Sequence, residues 1–159
     1  MLPDPAALAE AEFIERAQLP KRDFDFRVSL LTSAAWALGG ALVWALVVYL
    51  TGYNIGLFAI GIGVLAGLGA ARGGRGKTAQ YIGAACATAG YFVGQMGAYM
   101  ALVISKGGVP DERQLMLIIP ALMLLVLKVT FTGINAVFLG FAVYEGYRIP
   151  GPHEPAAKQ

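Results

Sequence analysis

The sequence predicts an all-α integral membrane protein, a four-helix bundle preceded by a short cytoplasmic helix. Three observations carry that expectation. Of 159 residues, 57% are hydrophobic and only 14% charged, where a soluble domain carries about 25% charged residues. The charges gather between apolar runs, and several of those runs approach or exceed the ~20 residues that cross a hydrocarbon core of about 30 Å. Glycine recurs inside the runs. It costs about 1 kcal/mol per residue in a water-exposed helix, but in lipid it lets neighbouring helices approach backbone to backbone. The length suits one domain, and a formal charge of +2 is too small to point to nucleic acid.

Residues 1–27 read as a cytoplasmic arm, acidic at Asp4, Glu10, Glu12 and Glu15 and mixed from Lys21 to Arg27. It lacks the positive start, short apolar core and small-residue cleavage site of a signal peptide. Asp4 followed by Pro5 is an N-cap with proline at the first helical position, and Pro20 ends the helix that follows. Leu8, Phe13, Ile14 and Leu19 give it a modest apolar stripe. It either rests on the membrane or a partner, or stays a solvated arm, because short isolated helices are marginal.

The first span covers 28–50 without a charge. Tyr49 near its end suits an aromatic belt, while Trp36 and Trp44 lie deeper and suit packing between helices. A short uncharged turn then makes 28–50 and 53–71 an antiparallel hairpin. In and before the second span, Gly52/Gly56 and Gly63/Gly67 are glycine pairs four apart, read as packing faces within the chain ahead of a homodimer face. The loop with Arg72, Arg75 and Lys77 is cytoplasmic by the positive-inside rule. In the third span, 79–104, Gly83, Ala87, Gly90, Gly94 and Gly97 follow at spacings of 4, 3, 4 and 3. That heptad-like period places them on one seam, the expected counterpart of the second span's glycine face.

The run 114–147 has 34 residues, so a single helix would be about 51 Å long and must break. Pro120, Lys128 and Thr132-Gly133 are the break points. The preferred reading is an interfacial or re-entrant piece over 115–127 on the outer face, Lys128 snorkelling to the headgroups, and a last span over 129–147. The alternative is one tilted, proline-kinked extension of that span. Residues 149–159, with Pro150, Pro152 and Pro155, read as a disordered tail. Four spans place Lys21, Arg22, Arg27, Arg72, Arg75, Lys77 and Arg148 on one side against Lys106, Arg113 and Lys128 on the other. The bias puts both termini in the cytoplasm.

Chemistry has little footing. The run from Ala71 to Thr78 fits a permissive phosphate-binding loop, but such a loop follows a strand and opens a soluble helix. Between membrane spans it reads as a flexible basic loop, and no nucleotide is expected. Gly61 and Gly63 lack the spacing and strand of a dinucleotide fold. Polar groups at membrane depth are the best pointers to function, and they are few: Gln95, expected to bond across helices; Asn135 near the outer end of the last span; Glu145, three residues from Arg148 and able to pair with it; and Lys128. Cys86 is the lone cysteine and His153, in the tail, the lone histidine. No metal, cofactor or catalytic group is expected.

The stretch TGYNIGLFAIGIGVLAG, the basic glycine loop after it and the ending FTGINAVFLGFAVYEGYRIP resemble an uncharacterised family of small bacterial four-span membrane proteins. The shared features are a TGY-x-IG hairpin with a glycine-rich helix, and a last helix ending in alanine, tyrosine and a basic residue. The resemblance covers about 32–150. It implies a four-helix module in a bacterial cytoplasmic membrane and implies no activity; a zinc role seen with paired cysteines in some relatives does not carry over. The function expected is a non-enzymatic scaffold or accessory subunit that packs through glycine faces with itself or a larger complex. The alternative is a small oligomeric transporter or channel, which calls for an intramembrane carboxylate that this sequence does not offer.

Overall fold

The computed structural model describes residues 24–107 and 110–151. The arm helix expected before Pro20 and the tail after Gly151 lie outside the described residues. Every regular element among the described residues is helical: α1 Phe26–Thr51, α2 Leu57–Ala71, α3 Lys77–Gly107, α4 Glu112–Thr130 and α5 Ile134–Arg148. Three of them, α1, α3 and α4, are long and apolar enough to cross a membrane.

Local sequence sets the ends. The Asp25 carboxylate caps α1 by accepting from the Arg27 and Val28 N–H groups at 2.9 and 3.1 Å. Gly52, at φ 73°, closes it in the left-handed conformation with its N–H on the Val48 carbonyl, a C-terminal geometry that glycine adopts without steric cost. Asp111 and Gln114 form a reciprocal capping box at the start of α4.

The helices α1, α2, α3 and α5 pack as one unit. The central pair, α2 and α3, touch each other and both flanking helices; α1 and α5 do not meet. Ser29 and Ser33 face Ala70 and Ala66, so α1 and α2 are antiparallel. Gly83 and Gly146 lie against each other, as do Gly63 and Ala142, so α5 runs against α3 and with α2. The core is made mostly of alanine, with Trp44, Tyr91, Ile62 and Val48 as its largest buried side chains. Small residues bring the backbones together, and a few large side chains fill what remains.

The second half of the chain departs from expectation. Pro120 sits inside α4 without ending it, and the helix continues through Lys128 to Thr130. The break falls at 131–133, where Gly133 takes φ 51°. The 115–127 piece is therefore part of a 19-residue helix, and the last helix begins at Ile134 rather than at 129. Likewise α2 starts at Leu57 rather than 53, because 52–56 form the turn. At 15 residues each, α2 and α5 are only about 22 Å long. Burial of α2 among three neighbours makes a full apolar girdle of its own unnecessary.

Helix α4 stands apart. It touches α3 and α5 and neither α1 nor α2. It follows the end of α3, and it delivers the chain to α5, whose Phe138 ring lies against Gly56 in the α1–α2 turn. Both ends of α4 are thus at the same end of the packed unit. The opposite end gathers the start of α1, the loop 72–76 and the residues after α5. There the Asp25 N–H donates to the Gly73 carbonyl at 2.8 Å and the Gly76 N–H to the Pro150 carbonyl at 3.0 Å. Pro150 and Gly151 are buried, so the segment expected to be a disordered tail begins as an ordered strap.

Candidate functional site

The residues singled out above divide into seam glycines, a basic loop and isolated polar side chains. Gly63 packs on the Ala142 backbone and Gly67 on Ile149 and the Glu145 carbonyl, both in the direction of α5. On α3, Gly83 meets the Gly146 carbonyl, Gly90 meets Ile62 and Ala37, Gly94 meets the Trp44 ring and Ile62, and Gly97 faces the Ala45 methyl. Ala87 is fully buried and lies under Gly146. The α3 seam is therefore not the partner of a glycine face on α2. Its glycines make notches that Ile62 and Trp44 fill, and only Gly83 meets another glycine, on α5. A ridge in a groove keeps more dispersion contact than two facing grooves would. Gly52 has nothing within 4 Å and acts as a cap rather than a packing residue; Gly56 packs alone, under Phe138.

Three hydroxyls absent from the sequence expectations hold α1 to α2. Ser29 Oγ and Ser33 Oγ donate to the Ala70 and Ala66 carbonyls at 2.8 Å each, and Thr32 Oγ1 shares its one proton between the Gly69 carbonyl at 2.6 Å and the Val28 carbonyl of its own helix. A carbonyl has two lone pairs, so these bonds add to the helix ladder. Hydroxyls recurring at i, i+3 and i+4 of an otherwise apolar span were the available signal.

The basic loop is built rather than flexible. The N–H groups of Arg72, Gly73 and Gly74 donate to the carbonyls of Gly69, Ala70 and Ala71, and that of Gly76 to Pro150. A phosphate-binding loop needs those amides for its ligand, and here the protein's own carbonyls hold them. Arg75 Nη1 donates to the Ile149 carbonyl at 3.0 Å. The Arg72 guanidinium instead lies 4.5 Å over the Trp36 ring, and Lys77 opens α3 as an exposed residue.

Gln95 and Tyr91, one helical turn apart on α3, are 2% and 1% exposed. Gln95 Oε1 and the Tyr91 hydroxyl have no hydrogen-bond partner, nor does the hydroxyl of Thr130, buried at the end of α4. Tyr91 packs against Trp44 with ring centroids 6.0 Å apart, and Trp44 Nε1 donates to Asn54 Oδ1 at 3.2 Å. Asn135 bridges the α4–α5 break by donating from Nδ2 to the Val129 carbonyl at 3.3 Å. Glu145 pairs with Arg148 at 3.8 Å. Lys128 is exposed in the last turn of α4, where a cation faces the helix's negative end; the helix does not divide there. Cys86 is buried and in no disulfide. Among the described residues no three His, Cys, Asp or Glu side chains come together as a metal site would require.

Of the three long apolar helices α4 is the least covered, 17% buried over its most apolar window against 33% in α1 and 39% in α3. Met116, Leu117, Met123 and Leu124 are 65–80% exposed, and only Leu122, Val126 and Thr130 are buried. No family model matches the chain, no curated protein matches it, and no solved structure matches it.

Proposed function

We propose that the chain is a non-enzymatic accessory or scaffold subunit of a bacterial cytoplasmic membrane, with both termini cytoplasmic and α4 as the helix that meets its partner. The reading matches the family it resembles, small four-span modules without an assigned activity. α1, α2, α3 and α5 form the membrane unit, and α4 lies at the outer interface. Exposed Tyr49 and Tyr53 at one end, and Tyr81 and Tyr147 at the other, suit the aromatic belts of a bilayer. The basic loop faces the cytoplasm by its charge.

The observation that carries the proposal is the contrast in packing. The seam glycines are filled from within the chain, whereas the most apolar window of α4 is 17% buried. An apolar helix that its own bundle barely covers suits either lipid or another subunit, and methionines among its exposed residues suit an adaptable protein contact. Two buried polar side chains of the unit support this packing: Ser29 and Ser33 clasp α1 to α2.

Affinity purification in mild detergent, comparing the native chain with a Leu117→Asn/Leu124→Asn variant, tests this. A stoichiometric assembly in the native chain that the variant loses, with thermal stability kept, is the expected result. A strict monomer in which in-membrane crosslinking also finds no protein neighbour refutes it. A second reading, a small oligomeric transporter, draws on one observation, the unpartnered Tyr91 and Gln95 atoms inside the unit. Solute flux in liposomes that Gln95→Leu abolishes would favour it.

A further inference from the structure

Gly39 on α1 and Gly61 on α2 are glycines that the fold does not use. A side-chain carbon added at either would meet nothing within 4 Å, so helix propensity is lost there without the close approach that Gly63 or Gly83 provides. What they provide instead is a groove of about 400 Å³ between the two helices, lined by Trp36, Gly39, Gly40, Val43, Gly61 and Leu65. No side chain of that wall is charged. One end is different: Trp36 carries the Arg72 guanidinium 4.5 Å above its ring. An apolar trough about two helical turns long thus finishes at a cation on the end of the unit that bears Arg75 and Lys77.

We propose that this groove binds an anionic phospholipid, with an acyl chain along the glycine floor and the phosphate on Arg72, whose charge disfavours a headgroup that also carries a choline cation. Basic pockets between helices on the cytoplasmic side are suited to anionic headgroups. A guanidinium can accept stacking on an indole face while its fork of donors meets phosphate oxygens. A second copy of the chain fits worse. Two-fold pairing through this groove would use the same patch on both copies and bring the two Arg72 side chains toward each other, where like charges oppose association. The inference rests on the membrane placement given above.

Tryptophan quenching by brominated lipids reads the site directly. The whole chain is reconstituted in phosphatidylcholine vesicles holding a small, equal share of either phosphatidylglycerol or phosphatidylcholine brominated near the glycerol end of a chain. The signal of Trp36 is taken as the difference from Trp36→Phe. Brominated phosphatidylglycerol is expected to quench Trp36 with about fivefold preference, the factor that one interfacial arginine contributes. Arg72→Gln should bring the two lipids to parity. Gly61→Leu, which fills the groove where there is open space, should lower quenching by both. Equal quenching by both lipids in the native chain, or a preference that survives Arg72→Gln, overturns the site while leaving the membrane placement standing. No quenching by either lipid overturns the placement itself and the site with it.

Discussion

Helices α3 and α4 are both apolar and behave in opposite ways. Both are apolar and long enough to cross a membrane, yet α3 buries residues along its whole length, from Ala79 to Ala101, and α4 buries only Leu122, Val126 and Thr130. The difference is side-chain size by position. On α3 a glycine or alanine recurs on one seam, so ridges from α1, α2 and α5 can enter. On α4 leucine, isoleucine and methionine surround the axis, and no neighbour can approach its backbone. In lipid, where apolar area alone does not drive helices together, contact depends on such fit. Small residues therefore decide which apolar helix becomes interior, and bulk leaves the other available to something outside the chain.

That comparison can be broken most severely on α3. Gly83→Leu places a side chain against the Gly146 carbonyl, a backbone atom that cannot move aside. Overpacking costs about 1–3 kcal/mol and occasionally more, and against an immovable backbone atom the upper end is expected, so the variant should lose its thermal transition or its expression in membranes. Removing the clasp between α1 and α2 is milder. Ser29→Ala with Ser33→Ala deletes two interhelical hydrogen bonds at about 0.6 kcal/mol each, and steric trapping or detergent unfolding should show a loss of about 1 kcal/mol. Gly61→Ala reverses the sign. Its added methyl meets open space, so the gain in helix propensity should stabilise the unit by about 0.4–1 kcal/mol, a small rise in melting temperature. On α4, Leu124→Ala removes a side chain that is 71% exposed and should leave stability within about 0.5 kcal/mol of the native chain.

Much of this contrast was legible beforehand, though not its geometry. The 4-3-4-3 spacing from Gly83 to Gly97 identifies a seam, because helical period alone decides which residues share a face. It does not say what enters the seam. Ile62 and Trp44 fill it because the turn at 52–56 and the Ser29 and Ser33 clasps fix the register of α1 on α2, and no local pattern encodes that register. Of the three break points expected in the last third, Thr132-Gly133 holds, and Pro120 and Lys128 do not divide the helix. Pro120 removes one ladder hydrogen bond and is tolerated, whereas Gly133 supplies a positive φ and Asn135 holds the turn by bonding back to Val129. The order at Pro150 and Gly151 depends on carbonyls that meet Gly76 and Arg75, contacts between residues more than seventy positions apart in sequence.

The most direct test of α4 as the partner-facing helix is photo-crosslinking in native membranes, with a photoreactive residue placed at Leu124 on α4 or at Leu42 on α1. The two positions are equally exposed, at 71% and 72%, so cover by the chain's own helices cannot separate them. The account predicts a discrete protein adduct from position 124 and only lipid adducts from position 42. Lipid adducts alone from both positions, or the same protein adduct from both, would contradict it.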